Sequence, residues 1–254
     1  MTEEEFRADL LAAVASRAEV QTCASREAFT LEMLDRLSEA GEVPDAELCV
    51  EALTGQRGRK LDIDAWTIDN ADGSLHLFVA IWDGRAAYPA SITLTDAREQ
   101  GFNRVLGVFE QSRTGWLTDS IEESRSLWAL ARRIQTGPLP TALRVHVLTD
   151  RPVNERLREI PGEQTRENVP VTFQIWDLTR LKRIHAALSV RDDLVVDFSY
   201  LEGGGLSVLP VSVGSGEYDG YLVPRRDPRR GVGRHLHSAR QSSIGRQCQD
   251  FPWP

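Results

Sequence analysis

The sequence predicts an α/β fold, in which helices flank a mixed β-sheet with a hairpin at its centre. Two observations support this class. Strand-like runs alternate with amphipathic helices through the middle of the chain, a pattern typical of sheets with at least partly parallel strands. Two strand-prone runs within residues 60–83 also flank Asn70-Ala71-Asp72-Gly73. Because Asp-Gly between such runs is a strong hairpin signal, we place a hairpin at the centre of the fold.

Composition indicates an ordinary globular protein. Of the 254 residues, 41% are hydrophobic and 27% are charged, which suffices for a sizeable core. The apolar runs are shorter than the ~20 residues of a membrane helix, and the acidic start lacks the basic segment of a secretory signal. We therefore expect a cytoplasmic protein that does not span a membrane. A net charge of −8 argues against a general polyanion-binding surface but permits a local basic channel.

Three helices are predicted before the hairpin. The first runs from a capping box at Thr2 to about Val20. The second starts near Ser25, whose hydroxyl can cap it, and stops at Gly41. A short third helix is predicted over 44–53, because proline is tolerated in a first turn.

Helices and strands alternate beyond the hairpin. Their caps and apolar periods can be read from the sequence. The predicted elements are a helix capped by Thr95-Asp96 and ended by Gly115, a helix over 118–134, strands over 143–148 and 171–176, and a helix capped by Asp177.

Three regions follow from this pattern. We predict an α/β domain over 1–192, a short β-rich extension over 193–222 and a disordered Arg-rich tail over 223–254. Residues 224–254 hold seven arginines and two acids, a net charge of +5, and show no apolar period. Such a tail could be a nucleic-acid-binding arm. The interpretation that we favour is a segment read from another frame and never selected to fold.

Carboxylates in the hairpin are the candidates for chemistry. In a strand they lose hydration unless a metal ion, a cation or solvent compensates them. We interpret Asp62 and Asp69 as solvent-facing strand residues and Asp72 as a turn residue. Asp64 lies mid-strand and fits a structural and a metal-binding role equally well. Mg²⁺ takes few protein carboxylates and keeps water and phosphate oxygens as its other ligands, so Asp64 and Asp83 could hold one.

The length of the turn decides which residues lie opposite one another. A two-residue turn puts Asp62 opposite Asp83, whereas a four-residue turn puts Lys60 opposite Asp83 and Asp64 opposite Val79. Both alternatives bring acids and Lys60 from one arm near the end of the other. A metal ion there would activate water, and a lysine would stabilise the transition state of phosphodiester hydrolysis.

Several segments together resemble a known family. They are IDAWTID at 63–69, DGSLHLFV at 72–79, the helix over 102–109 and IWDLTRL at 175–181. As a set, they resemble the N-terminal region of abortive-infection phage-resistance (AIPR) proteins over roughly residues 1–222. The family's usual larger C-terminal portion is replaced by the Arg-rich tail, so we expect a truncated member.

The resemblance implies an antiphage protein with a restriction-endonuclease-like, PD-(D/E)xK-like fold. In that pattern Asp64 would be the metal-binding aspartate and Glu32 the helix acid. The second hairpin arm would carry an acid, one further residue and a lysine. Because this chain has Val79-Ala80-Ile81 there, Asp83 would replace the acid and Lys60 the lysine.

Three functions remain open at this point. The leading prediction is an antiphage protein that hydrolyses phosphodiesters with Mg²⁺, with Glu32, Asp64 and Asp83 as metal ligands, Lys60 as the catalytic lysine and nucleic acid as the partner. Glu32 could instead pair with Arg36 one helical turn on. The alternatives are a catalytically inactive interaction or sensor module and a truncated remnant without activity.

Overall fold

A computed structural model of the chain describes residues 1–154, 160, 162–192, 209–212, 219–225 and 235–238. The chain divides into two units, Met1–Asp193 and Leu194–Pro254. The domain boundaries drawn from the sequence, at 192 and 222, stay predictions.

The first unit combines a β-sheet with helices. Its helices and strands are α1 (Glu3–Gln21), α2 (Ser25–Glu39), β1 (Glu47–Thr54), β2 (Lys60–Ile68), β3 (Leu75–Ile81), α3 (Leu94–Asp96), α4 (Asn103–Arg113), α5 (Trp116–Ser120), α6 (Ser126–Thr136), β4 (Leu143–Thr149), β5 (Glu163–Gln164), β6 (Pro170–Trp176) and α7 (Leu178–Asp192). A π-helical segment, Ala97–Phe102, joins α3 to α4. In the described part of the chain, no helix has both the length and the apolar character needed to cross a bilayer.

The described strands of this unit form one six-stranded sheet in the order β1-β2-β3-β4-β6-β5. Neighbours are antiparallel from β1 to β3, parallel from β3 through β4 to β6, and antiparallel again between β5 and β6. The predicted α/β class with a mixed sheet and flanking helices is confirmed. Strands β2 and β3 form the predicted hairpin. They are second and third in the strand order, and β3 is the neighbour of the parallel strand β4.

The hairpin has the longer of the two turns considered. Ala65 pairs with Phe78, and Ile68 pairs with Leu75. The Asp69 amide donates to the Ser74 carbonyl at 2.9 Å and closes the turn. This register corresponds to the four-residue turn, and the regular pairing of the two strands ends at Ala65–Phe78.

Both faces of the sheet are covered by apolar cores. One core, with Leu77 and Val79 of β3, packs under α4 and α6. The other, with Phe78 and Ala80, packs under α1, α2 and α7. Because both faces are buried, β3 is buried along its whole length and is apolar except for His76, as expected for a strand that is covered on both faces.

Several helix boundaries agree with the sequence. The capping box at Thr2 is present, since its hydroxyl accepts from the Glu5 amide. Gly41 follows the end of α2 with φ +74°, where a side chain would be strained. Asp177 caps α7 by accepting from the Arg180 amide at 3.0 Å.

Other helix predictions are wrong. Residues 44–53, predicted as a helix, contain strand β1, because pairing with β2 outweighs the helix propensity of Glu, Leu and Ala. The N-cap of α2 is Ala24, without a side-chain bond, so Ser25 does not cap it. Thr93, rather than Thr95-Asp96, caps the next helix, in a box with Asp96.

The predicted helix over 118–134 is two helices. Ile121 adopts an extended backbone after α5, and α6 begins only at Ser126. Arg125 is the N-cap residue of α6, and its guanidinium pairs with the Glu51 carboxylate of β1. Residues 121–125 between the two helices are therefore not part of either helix, and Arg125 among them contacts edge strand β1.

The second unit contains strands β7 (Leu209–Ser212), β8 (Asp219–Arg225) and β9 (His235–Ser238), antiparallel in the order β7-β8-β9. The predicted β-rich extension thus includes β7 and part of β8. Of the tail predicted to be disordered, 223–225 and 235–238 lie in strands, and the rest lies outside the described residues.

Candidate functional site

The two carboxylates at the start of β2 are buried together. Asp62 is 5% exposed and Asp64 is 0% exposed. They are two residues apart, so their side chains project from the same side of the strand. The prediction that Asp62 faces solvent is wrong. We refer to Asp62 and Asp64 as the acid pair.

An arginine from helix α2 bridges the acid pair. Arg26 Nη2 lies 2.6 Å from Asp62 Oδ1 and 2.7 Å from Asp64 Oδ2. Arg104 of α4 adds a longer contact, with its Nη1 3.4 Å from Asp62 Oδ2. Two arginines therefore compensate two carboxylates in this Arg26 cluster, which comprises Arg26, Arg104 and the acid pair.

The backbone of β3 also binds Asp64. Ala65–Phe78 is the last regular pair of the β2–β3 ladder toward this end of the strands. Beyond it, the Ala80 amide donates to Asp64 Oδ2 at 2.6 Å. A buried amide needs an acceptor, and here a side chain takes the place of the neighbouring strand.

Burial and charge oppose each other in the Arg26 cluster. Burial raises the pKa of Asp64, while Arg26 and the Ala80 amide act in the opposite direction. Burial alone would lower the pKa of Arg26, but the hydrogen bonds and charges of the acid pair raise it above the ordinary value. Asp64 Oδ1 and Arg26 Nε are buried without a hydrogen-bond partner among the described residues.

Lys60 lies at the first position of β2, with its side chain exposed. It lines a cavity of about 490 Å³ together with Arg59, Glu99, Gln100, Asn103 and Arg104. Arg104 also contacts Asp62, so this cavity adjoins the Arg26 cluster. Lys60 thus shares this cavity with Arg104 but forms no ion pair with Asp62 or Asp64.

Asp83 belongs to a different group of charges. Its carboxylate lies 3.7 Å from Arg7 Nη2 and 3.7 Å from Arg85 Nε. Its amide donates to Asp150 Oδ1 at 2.9 Å. Asp150 in turn accepts from Arg7 Nη2 at 2.6 Å. This group ties the end of β3 to the end of β4.

Glu32 forms ion pairs on the helical hairpin of α1 and α2. Its carboxylate accepts from Arg36 Nε at 2.8 Å, which is the structural alternative considered from the sequence. Arg17 of α1 is 3.1 Å away. Glu32 of α2 therefore links the two helices, because it pairs with Arg36 of α2 and with Arg17 of α1.

The predicted metal ligands are not brought together. Glu32, Asp64 and Asp83 each pair with a different arginine, and the described residues contain no group of three or more His, Cys, Asp or Glu side chains that could hold a metal ion. As they stand, these residues do not fit a Mg²⁺ site. Their assignment as metal ligands stays a prediction.

Sequence reasoning missed the arginines. Lys60 and Lys182 are the only lysines, which leaves 28 arginines among the 30 basic residues, so no single arginine stands out. Arg26 is 38 positions from Asp64, and only the packing of α2 on the sheet joins them. The sequence therefore carried no signal that would single out Arg26.

A second buried polar group lies on the neighbouring strands β3, β4 and β6. Trp176 Nε1 donates to His146 Nδ1 at 3.0 Å. His146 Nε2 is 3.1 Å from His76 Nδ1, and His76 Nε2 is 3.2 Å from the Ser74 hydroxyl. The indole N–H can only donate, so it fixes the direction of every hydrogen bond in this series. Each imidazole is therefore neutral, accepts at Nδ1 and donates from Nε2.

Fold and site together define an α/β domain with a buried acidic centre that arginines neutralise. The chain belongs to the abortive infection phage resistance family. The family model for the N-terminal domain of these proteins matches residues 29–183, more than half of the chain, and confirms the resemblance. Membership supports a role in abortive-infection defence. No curated protein and no solved structure gives a significant match.

Proposed function

We propose that this protein serves abortive-infection defence as a binding module that does not hydrolyse its ligand, on a restriction-endonuclease-like (PD-(D/E)xK-like) fold. The observation that carries this proposal is the position of Arg26 Nη2, within 2.7 Å of both carboxylates of the acid pair. A protein cation occupies the place where hydrolysis would need an exchangeable metal ion.

The second hairpin arm supports the same conclusion. Val79, Ala80 and Ile81 are buried and apolar, so these three positions offer neither a metal ligand nor a lysine. Phosphodiester hydrolysis by this route needs both a metal-bound water and stabilisation of the charge that develops on the phosphate.

We propose nucleic acid as the ligand, bound in the cytoplasm. The cavity beside the acid pair is lined by Arg59, Lys60 and Arg104 against one acid, Glu99. Lys60 forms no ion pair with any described residue, so its ammonium group is available to a phosphate. Such contacts give binding that weakens with salt and carries little sequence preference.

One specific observation favours a second candidate function, Mg²⁺-dependent phosphodiester hydrolysis. Lys60 lies beside the cavity that Arg104 shares with Asp62. If the charged groups rearranged around a bound nucleic acid, Asp64, Asp83 and Glu32 would be the metal ligands and Lys60 the catalytic lysine.

A cleavage assay separates the two candidates. Full-length protein is incubated with plasmid DNA and RNA in Mg²⁺ or Mn²⁺, and binding is followed by fluorescence anisotropy at several salt concentrations. We expect salt-dependent binding without cleavage for the wild type, for Asp64→Ala and for the control Asp72→Ala, an exposed turn residue.

Metal-dependent cleavage by the wild type would overturn the proposal. If Asp64→Ala abolished that cleavage and Asp72→Ala did not, hydrolysis at Asp64 would replace it. Absence of nucleic-acid binding at low salt would refute the choice of ligand.

A further inference from the structure

We propose that Arg26 is the resident cation of a two-carboxylate site, and that the acid pair binds a divalent cation once the guanidinium is removed. This inference rests on the proposed function, in which Arg26 keeps the site free of metal. It assigns Asp62 and Asp64 as the ligands, in place of Asp64 with Asp83 and Glu32.

The contacts converge on one atom. Asp62 Oδ1 and Asp64 Oδ2 lie 2.6 and 2.7 Å from the same nitrogen, Arg26 Nη2. Oxygens of two different carboxylates directed at one point are what a small cation requires. Because Mg²⁺–oxygen distances are about 2.0–2.1 Å, a bound ion would draw each oxygen in by roughly half an ångström.

An unused carboxylate oxygen remains in the site. Asp64 Oδ1 is buried and accepts no hydrogen bond from any described residue, although its side chain is fully enclosed. Buried oxygens are nearly always satisfied, so an unsatisfied one calls for an explanation. A cation larger than the Nη2 group, or one that keeps a water molecule, would use this oxygen.

The charges of the cluster also match a divalent ion. The acid pair carries two negative charges, compensated by Arg26 at 2.6 and 2.7 Å and by Arg104 at 3.4 Å. Removing Arg26 leaves a buried negative charge without a close partner, which is strongly unfavourable. A divalent cation would restore neutrality with Arg104 withdrawn to solvent.

The contacts of Arg26 would allow a metal ion to replace its guanidinium group. It uses a single nitrogen for both ion pairs rather than the two-pronged contact of a tight arginine–carboxylate pair. Its Nε is unpartnered, its side chain is 30% exposed, and it lies in the first turn of α2, where Ala24 provides no side-chain cap.

Manganese binding by full-length variants tests the inference. Free Mn²⁺ is measured by electron paramagnetic resonance, with calorimetry as a second method, for the wild type, Arg26→Gln and Arg36→Gln. Arg36 is the matched control, because it lies on the same helix and pairs with Glu32 instead. We expect one Mn²⁺ per chain in Arg26→Gln, at least tenfold tighter than in the wild type or the control.

Two further variants remove the remaining ambiguity. Adding Asp64→Asn to Arg26→Gln should abolish the Mn²⁺ site. If Arg26→Gln is poorly folded, Mn²⁺ should raise its melting temperature and leave that of Arg36→Gln unchanged, because a ligand of the folded state stabilises it. Equal Mn²⁺ affinity in Arg26→Gln and wild type, a site that survives Asp64→Asn, or no thermal rescue would each overturn the inference.

The outcome is independent of the cleavage assay. Cleavage by the wild type would refute the non-hydrolytic module and leave the Mn²⁺ result in place. Failure of Arg26→Gln to bind Mn²⁺ would refute the resident-cation site and leave the module in place.

Discussion

Arg7 is the most deeply buried arginine among the described residues of the first unit, with 2% of its surface exposed. Its Nη2 pairs with Asp150 Oδ2 at 2.6 Å, and its Nε donates to the Asp150 carbonyl at 3.1 Å. Its Nη1 donates to the carbonyls of Arg85 and Ala87. One guanidinium therefore joins α1, the end of β4 and the loop after β3.

Removing Arg7 should destabilise the protein strongly. Arg7→Ala leaves the Asp150 carboxylate buried and opposed only by amide donors, and breaking a buried ion pair in this way costs ~3–5 kcal/mol. Urea unfolding followed by circular dichroism measures the loss.

Arg17→Ala is the control for Arg7. Arg17 also pairs with acids, Glu32 and Asp35, but it is more accessible to solvent. Exposed pairs contribute ~0–1 kcal/mol, so its loss should be several times smaller. Equal losses in the two variants would contradict this account of Arg7.

At the residue level, the sequence identified Asp64 but not the arginine that pairs with it. Asp64 could be singled out because an acid lay between Ile63 and Trp66 in a strand. Its arginine partner could not, because α2 meets β2 only in the folded chain. Whether Asp62 or Lys60 would lie opposite Asp83 depended on the turn length. The hydrogen bond from the Asp69 amide to the Ser74 carbonyl closes the longer turn.

The π-helical segment before α4 shows how a helix approaches the sheet. Gly101 lies in this segment, and a Cβ atom built there would be 2.5 Å from Val147 Cγ2 and 3.6 Å from Ile81 Cδ1. Glycine lets the helical backbone lie directly on β3 and β4. The sequence reading of this region as one amphipathic helix missed the wider turn.

Gly101→Ala should therefore destabilise the protein. Alanine favours a helix by ~0.5–1 kcal/mol over glycine, but overpacking a well-filled core costs ~1–3 kcal/mol. Val147 is β-branched and buried and cannot rotate away easily, so the clash should dominate. We expect a net loss of about 1–2 kcal/mol in chemical denaturation, which combines both effects.

Gln100→Ala is the neighbouring control for Gly101. Gln100 is exposed in the same segment, and its bond to Asp96 is long, at 3.4 Å. Its substitution should change stability by no more than ~0.5 kcal/mol. A stabilised Gly101→Ala variant would show that the sheet yields at this point.

At the level of the whole molecule, the buried histidines link stability to pH. Burial lowers the pKa of His146 well below its usual value, and neighbouring positive charges, including Arg144, act in the same direction. Burial likewise lowers the pKa of His76, with Arg144 as the next cause. The unfolded chain therefore takes up protons below about pH 6.5 that the folded chain excludes.

The free energy of unfolding should accordingly be fully retained above about pH 6.5 and fall as the pH drops below it. Each histidine contributes a slope of at most ~1.4 kcal/mol per pH unit. Urea unfolding between pH 7.5 and 5 measures this slope for the wild type, for His146→Phe and for the exposed control His185→Gln.

His146→Phe should flatten the profile, because the phenyl ring cannot be protonated, even if it lowers stability at pH 7.5 by leaving the Trp176 indole unpaired. His185→Gln should keep the wild-type slope. A wild-type slope that persists in His146→Phe would mean that other groups govern the response to acid.

The overall architecture followed from the sequence better than its details did. The strands predicted at 143–148 and 171–176, the capped helices and the Asp-Gly turn sufficed to predict a mixed α/β sheet. Strand β1 was missed because its Glu, Leu and Ala residues favour a helix until β2 offers them a partner. Propensity is local, whereas the choice of strand is made by tertiary pairing.

The central position of β3 has a consequence for synthesis on the ribosome. Its parallel partner β4 begins at Leu143, about 60 residues after β3 ends at Ile81. At ~5–20 residues per second, translation leaves the edge of β3 that pairs with β4 without its partner for roughly 3–12 s. During this interval the nascent chain carries a largely apolar strand with one unpaired edge, the kind of surface that favours aggregation. Production of this protein should therefore depend on chaperone capacity more than its final stability would suggest.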